Sequence, residues 1–408
     1  MTDPARVLFV KERMDWPRAR GHDVHTYGMM RALARRGHPV ALATVAPAPP
    51  EAVAGAGLAA QYCFADGAPP PPAPDEAPLR LGKWQEKFRD YWGVDAARVR
   101  WVAGAAAGFR ADAVVVSGLT VLPYLGALPP ATAKVWYAAD EWVWHHLSQV
   151  RVFRRGTWGE IKPAVVKGLY ERAYRSLVDR VWVVTPADAR AFRWVAGPQA
   201  VDVVPNGVDA DYYRPADEDQ VPNSCVFWGR LDFGPNVQAV EWFCRRVWPR
   251  VRRAVPDARF HIYGFQPTPA VRALGGKDGV EVTPDLPDIR TAVRRHPVVV
   301  LPFVSGGGIK NKVLEAAAMG MPVVCSRRVL VGLTGTPPFG GTGGPGAWAA
   351  RLTALWRDRA GRQELGAAAR DWVVRHHTWD AAAATAARGL AETLAARPPA
   401  PAEPAPAP

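Results

Sequence analysis

The residues best suited to chemistry gather in GGGIKNKVLE, residues 306–315. Gly306, Gly307 and Gly308 allow the backbone to approach a ligand closely. Free N–H groups at Gly308, Ile309 and Lys310, at the positive end of the helix expected to follow, suit a phosphate. Lys310 and Lys312 could add point charges. Glu315 would lie about two turns into a helix that begins near residue 308. From there its carboxylate could accept hydrogen bonds from a ribose diol. The competing reading is a flexible turn with solvated lysines and a solvent-facing Glu315. The stretch is neither a P-loop nor a dinucleotide fingerprint, because it lacks both G-x-x-x-x-G-K-[ST] and G-x-G-x-x-G.

Three other clusters could contribute. In FWGRLDFGPN (227–236), Gly229 and Arg230 stand directly after an apolar run, and the planar fork of Arg230 could clamp a diphosphate. The alternative is one more surface arginine. In RARGHDVHTYG (18–28), Gly21 permits close approach, and His22 or His25 could serve as a polar contact or a base. The two histidines lack a recognisable third partner for a metal. In AADEWVWHH (138–146), Asp140 and Glu141 end an apolar run. Asp140 could bond an acceptor hydroxyl or assist proton movement, or it could cap a helix. The acidic triplets DAD (209–211) and DED (217–219) read as caps and solvated charge, and no metal site is assigned.

Short apolar runs alternate with longer amphipathic ones, which predicts α/β structure with parallel sheets. Strands are expected at 6–10, 39–45, 112–118, 134–140 and 180–186, with helices at 25–38 and 168–180. The rhythm restarts after residue 206. Strands follow at 225–229, 259–264, 280–284, 298–303 and 322–326, with one long helix at 235–256 and another at 312–320. Three helices close the chain, the last at 378–396, before a Pro/Ala-rich tail that cannot bury a core. In open parallel sheets ligands bind beyond the carboxyl ends of the strands, where all four clusters would lie.

The 408 residues are 49% hydrophobic and 22% charged, enough for two ordinary domains. A net charge of +13, mostly arginine, suggests an anionic partner without choosing one. No block of consecutive basic residues resembles a nucleic-acid arm, so a nucleic-acid partner is not expected. Cys63, Cys225, Cys244 and Cys325 are too far apart for a CxxC pair or a disulfide framework. The N-terminus reads as a first strand and no apolar run spans a membrane, so a cytoplasmic location is expected. The segments 83–101 and 151–175 mix aromatic and basic residues as interfacial helices do. Either they touch the inner face of a membrane peripherally, or they are ordinary amphipathic helices with inward tryptophans.

In this order the pieces resemble the family 4 glycosyltransferases. The resemblance is carried by VDVVPNGVDADYYRP (201–215), FWGRLDFGPNVQAVEWF (227–243), PDLPDIRTAVRRHPVVVLPF (284–303) and GGGIKNKVLEAAAMGMPVV (306–324). The N-terminal glycine loop and the closing helices look similar as well. The resemblance implies an α/β, GT-B architecture of two doubly wound Rossmann-like domains facing across a cleft. Residues 1–212 would form the acceptor-side domain and 213–377 the nucleotide-sugar domain. A helix over 378–395 would cross back to the first domain, leaving 396–408 as a disordered tail. It implies a retaining, hexosyltransferase-like enzyme that uses a nucleotide diphosphate sugar, with no metal or other cofactor. The acceptor would be a glycan, a lipid-linked sugar or a small molecule. Arg230, Lys310, Lys312, Gly307, Gly308, Ile309 and Gly21 would surround the diphosphate, and Glu315 would hold the ribose. Asp140 and His22 would be the catalytic residues. The sequence departs from the family at three places. Gly307 replaces the first glutamate of the E-x7-E pair, a GGG variant known in one branch. Pro235 stands in place of a lysine, whose charge Lys310 or Lys312 could supply. Ala139 stands where a histidine is usual. A non-catalytic GT-B protein that binds a nucleotide sugar or a glycan is the alternative function.

Overall fold

The computed structural model describes residues 4–14, 21–65, 78–118, 120–139, 143, 146, 159, 161–197, 200–306 and 308–397, apart from the side chains of Gly21 and His22. The chain divides into two compact units, Met1–Val204 with Asp380–Pro408, and Pro205–Trp379. The first carries seven strands: β1 (Val7–Lys11), β2 (Val40–Thr44), β3 (Ala60–Cys63), β4 (Ala113–Ser117), β5 (Ala133–Ala139), β6 (Arg180–Val183) and β7 (Ala200–Val203). They form a single parallel sheet in the order β3-β2-β1-β4-β5-β6-β7. The second unit carries β8 (Ser224–Trp228), β9 (Arg259–Gly264), β10 (Val280–Pro284), β11 (Val298–Leu301), β12 (Val323–Ser326) and β13 (Gly341–Thr342). These are again parallel, in the order β10-β9-β8-β11-β12-β13. β1, β2, β4, β5, β6, β8 and β11 are buried along their whole length. Helices cover both faces of such a sheet, so its strands read as continuous apolar runs.

In each sheet the strand order reverses once, at β1/β4 and at β8/β11. The connections on the two sides of that point leave in opposite directions, and the carboxyl ends there open a crevice. The second crevice lies beyond Trp228 and Leu301, where Gly229–Arg230 and the glycine stretch begin.

The expected helix over 235–256 is interrupted. Its ends are α-helical, Gly234–Trp242 and Trp248–Ala254, but Phe243–Val247 is a π-helical turn. Pro249 has no N–H to donate and its ring crowds the carbonyl one turn back, so the ladder widens there. The segment 83–101 also breaks in two, at Lys83–Tyr91 and Ala96–Phe109. Gly93 turns left-handed (φ 65°) and Asp95 caps the second helix by accepting from the Ala97 N–H.

The division at Val204 precedes the expected boundary at 212 because the segment after Val204 is fastened to the second unit. Asp209 accepts from the Tyr212 N–H at 2.9 Å, Arg294 pairs with Glu218 at 2.9 Å, and Arg290 lies over the Tyr212 ring. At the start of this segment His377 is fully buried. It accepts from the Thr334 N–H at Nε2 (3.0 Å), so its Nδ1–H donates to the Asn206 carbonyl (3.0 Å). A Cβ on Gly207 would lie 2.4 Å from the Trp379 nitrogen, so only glycine fits. The last helix, Trp379–Ala395, belongs to the first unit from Asp380 onward. Arg180 on β6 holds it through Glu392 (2.9 Å) and Thr393 (2.7 Å) while pairing with Asp202 at 2.7 Å. Gly389 lets the helix approach, since a Cβ there would meet Asp202 at 2.2 Å.

The second unit also buries a histidine that titrates with folding. The Ser224 hydroxyl donates to the Val221 carbonyl (2.7 Å), so it accepts Nδ1–H of His296 (2.8 Å), and the Tyr263 hydroxyl donates to Nε2 (2.8 Å). Burial pulls this imidazole down to about 3, helped by repulsion from His261 and Arg295. Its folded pKa lies below the unfolded value of about 6.5. The stabilisation is therefore complete above that value and is lost as the pH falls towards 3. We expect this group alone to remove about 2 kcal/mol of unfolding free energy between pH 7 and pH 5. Urea titrations at the two pH values, on the wild type and His296→Asn, measure it; equal losses in both would refute the assignment.

Candidate functional site

β8 ends in Trp228, and the chain turns sharply at Gly229 with φ 144°, a conformation that favours glycine. Gly264 at the end of β9 has φ 151°, and a Cβ there would sit 1.7 Å from the Gly229 carbonyl oxygen. The two strand ends can touch because position 264 carries no side chain. On the other side of Gly229, a Cβ would collide with Lys312, 2.5 Å from its Cε and 2.6 Å from its Nζ. The bare backbone at 229 thus makes room for the ammonium of Lys312.

Lys312 stands in the first turn of the helix Asn311–Ala318. Its ammonium lies 5.7 Å from the centre of the Phe227 ring and 5.9 Å from that of Phe303. Burial lowers its pKa below the usual lysine range, and the Glu315 carboxylate opposes that shift. Glu315 is held in turn: the indole N–H of Trp228 donates to its Oε2 at 2.9 Å. Lys310 caps the helix in an extended conformation, and its ammonium donates to the Gly308 carbonyl at 3.1 Å.

The glycine stretch differs from expectation in where the helix begins. Gly306 (φ 90°) and Gly308 (φ 64°) are left-handed, so Gly308, Ile309 and Lys310 precede the helix, which starts at Asn311. Glu315 lies near the end of its first full turn and points back to the strand edge beside Trp228. The Ile309 side chain is buried in the core. Gly306 faces the ring of Pro235, where a Cβ would come within 3.2 Å, and the same point is 3.6 Å from the Lys310 ammonium.

Arg230 follows Gly229 at the crevice, half-exposed. Its fork is engaged with Asp232, at 3.1 Å from Nε and 2.6 Å from Nη2. These bonds hold the Asp232 carboxyl below the usual range and raise Arg230. Its backbone carbonyl accepts from the buried Asn236 amide at 2.7 Å, which fixes the turn. Asn206 donates to Asn311 Oδ1 at 2.7 Å and so ties the helix start to the 206–207 turn.

The structure therefore brings together Arg230, Gly308, Lys310, Lys312 and Glu315 on one unit. Gly307 and Asp140 lie outside the described residues, as does the His22 side chain. Gly21, expected in a loop, opens the helix Gly21–Arg35, and His25 of that helix is buried with Nδ1 3.5 Å from the Tyr137 hydroxyl. Ala139, just before Asp140, is left-handed at φ 58° beside a shift in the β5–β6 register. Sequence reasoning missed Trp228, Asn236 and Asn311. Trp228 reads as an ordinary core residue of a strand. Asn236 and Asn311 are polar residues at helix starts, and that was the available signal. No group of three or more His, Cys, Asp or Glu side chains suited to a metal occurs among the described residues.

Gly264→Ala tests the strand-end contact. The methyl group forces the β8 and β9 ends apart, and we expect a loss of about 3 kcal/mol in denaturant unfolding. An unchanged midpoint would show that the contact is not needed.

The protein-family model described as "Glycosyl transferase 4-like domain" matches residues 20–207, and the one described as "Glycosyl transferases group 1" matches residues 222–358. Solved structures resemble the chain along nearly its whole length. HepE of Anabaena, in complex with UDP-glucose, is 14% identical with a TM-score of 0.64, covering 96% of this chain and 100% of its own. Sucrose-phosphate synthase of Thermosynechococcus elongatus is 16% identical with a TM-score of 0.67, covering 96% and 100%. A glycosyltransferase of Rickettsia africae is 11% identical with a TM-score of 0.65, covering 97% and 100%. No curated protein matches the sequence significantly.

Proposed function

We propose that this chain, a glycosyltransferase of GT-B fold by both of its domains, moves a hexose from a nucleotide diphosphate sugar to a hydroxyl acceptor with retention of anomeric configuration. The acceptor is a glycan, a lipid-linked sugar or a small molecule. The observation that carries the reading is the convergence of Arg230, Lys310, Lys312 and Glu315 at the β8/β11 reversal. UDP or UDP-glucose occupies several of the structures this chain resembles.

In this reading Lys312 and Lys310 supply the positive charge that a lysine at position 235 would give. Lys312 reaches the crevice past Gly229, and Lys310 reaches the wall that Pro235 forms with Gly306. Arg230 leaves Asp232 to clamp the diphosphate, exchanging one anionic partner for another. Glu315, oriented by Trp228, accepts from the ribose diol. As the anomeric carbon–oxygen bond to the phosphate breaks, negative charge grows on the leaving diphosphate, and these cations stabilise it. The new bond joins the acceptor oxygen to the anomeric carbon, and a leaving phosphate oxygen takes the acceptor proton. Asp140 and His22 are the proposed contacts on the acceptor side, and Gly21 and Gly307 complete the approach to the phosphates. No metal is needed, because the diphosphate charge is met by side chains. We place the protein in the cytoplasm.

A second reading, a GT-B protein that binds a nucleotide sugar or glycan without turnover, is favoured by Pro235 in the lysine position. Release of free nucleoside diphosphate from a set of donors and acceptors separates the two readings. A thermal-shift screen against UDP, GDP, ADP and CDP should single out one base. With that nucleotide, Lys312→Ala should weaken binding at least tenfold and Lys310→Ala less. Unchanged affinity in both variants would remove the lysines from the diphosphate site. EDTA should leave turnover intact, and its abolition by the chelator would overturn the metal-free reading.

A further inference from the structure

The helix Ile161–Tyr174 is turned inside out. Its inward side buries Lys167 and Glu171, 7% and 3% exposed, alongside Tyr170 and Tyr174. The Lys167 ammonium lies 4.2 Å from the centre of the Trp92 ring, and burial lowers its pKa to about 8. The outward side carries Ile161, Val165 and Leu169, one turn apart, with Val165 55% and Leu169 54% exposed. Leaving aliphatic side chains in water while the charged pair is inside costs free energy. Such a stripe calls for a partner that covers it.

The neighbouring helices extend the stripe. Helix Lys83–Tyr91 packs beside it, with the Gln85 amide donating to the Ala173 carbonyl at 2.8 Å and the Phe88 ring edge-on to Tyr170. It exposes Trp84 and Tyr91, two turns apart. On the other flank, Gly168 meets Val195 of helix Pro186–Ala196, and Trp194 beside it is 82% exposed. Exposed cations surround these apolar residues: Lys83, Lys87, Lys162, Arg172, Arg190 and Arg193. The exposed carboxylates of the three helices are Glu86 and Asp90, and Asp90 is already paired with Arg89 at 2.7 Å.

We propose that this three-helix face docks the protein on an anionic lipid surface. Its charge is complementary to acidic headgroups, and its aliphatic stripe suits the boundary between headgroups and acyl chains. Trp84, Tyr91 and Trp194 have the amphipathic rings that anchor at that depth, and the basic side chains reach the phosphates. No helix among the described residues is long and apolar enough to cross a membrane, so the contact is peripheral. The inference deepens the acceptor half of the proposed function, since docking would carry the enzyme to a lipid-linked acceptor, and it rests on that reading only there.

The test is co-sedimentation of the full chain with phosphatidylcholine vesicles and with vesicles containing about 30% phosphatidylglycerol, at low and high salt. Binding is expected to the anionic vesicles alone, to fall severalfold in high salt, and to drop at least tenfold in Val165→Glu/Leu169→Glu. Trp194→Ser, at a position so exposed that folding does not depend on it, should also weaken binding. No sedimentation with anionic vesicles overturns the proposal, as does undiminished binding by both variants. A dimer seen by ultracentrifugation and lost in the Glu variant, without vesicle binding, would instead assign the face to a second copy of the chain. Nucleoside diphosphate thermal shifts in the same variants keep the outcomes separate: a lost shift in the wild type refutes the donor site, and lost sedimentation with an intact shift refutes only the docking face.

Discussion

A bare backbone at position 229 is the constraint from which the candidate site of the second unit follows. The parallel sheet fixes where a crevice can open, at the reversal between β8 and β11. The crevice becomes a cationic site because no side chain fills the end of β8. Gly264 lets the β9 end close on the Gly229 carbonyl from one side, and Gly229 lets Lys312 in from the other. Once Lys312 is partly buried, its ammonium requires a compensating carboxylate, and Glu315 one turn further along the helix provides it. Trp228, the residue before the glycine, holds that carboxylate. Strand end, lysine, glutamate and tryptophan are thus one unit, and none could be exchanged without repositioning the others.

The first sheet is built to the same plan at its own reversal. Lys11 ends β1 and forms a buried pair with Asp23 at 3.1 Å, and Ser117 ends β4 bonded to Thr26 at 2.7 Å. Polar groups at these strand ends are paired inside the protein, as a low-dielectric edge requires. The difference lies in what is offered outward. The second unit presents several cations at its crevice. At the first reversal Lys11 is instead balanced by Asp23.

The central strands were legible in the sequence because both faces of each are buried, so an apolar run identified them. Of the edge strands, β10 was legible at 280–284, whereas β3, β7 and β13 were not. β3 is only partly buried, and β13 has only two residues, Gly341 and Thr342, neither apolar enough to signal a strand. Of the candidate site, the grouping of Arg230, Lys312 and Glu315 was legible because charge next to glycine at a strand end is unusual. The helix start was placed too early, since a run of glycines allows left-handed turns that no periodicity reveals. Trp228 was hidden because a tryptophan that packs and a tryptophan that donates look the same in a sequence. The boundary at 212 came from the family resemblance, yet Glu218 and Tyr212 fasten the segment around it to Arg294 and Arg290. The inverted helix was half visible, as a mixture of aromatic and basic residues. Which residues faced out depended on the buried Lys167 and Glu171, and the sequence pattern suggests the opposite.

Arg180 links the two ends of the chain's first unit across the whole of the second. Its partners Asp202, Glu392 and Thr393 complete one polar cluster, yet two of them are translated only after residues 205–379. A ribosome therefore releases the second unit ready to fold while the first still lacks its last helix. Through that interval the guanidinium has a single carboxylate partner, and the edge of the sheet beside β6 and β7 stays uncovered. The first unit to be synthesised is the last to be finished, and until its last helix emerges the polar side chains on β6 and β7 lack their closing partners.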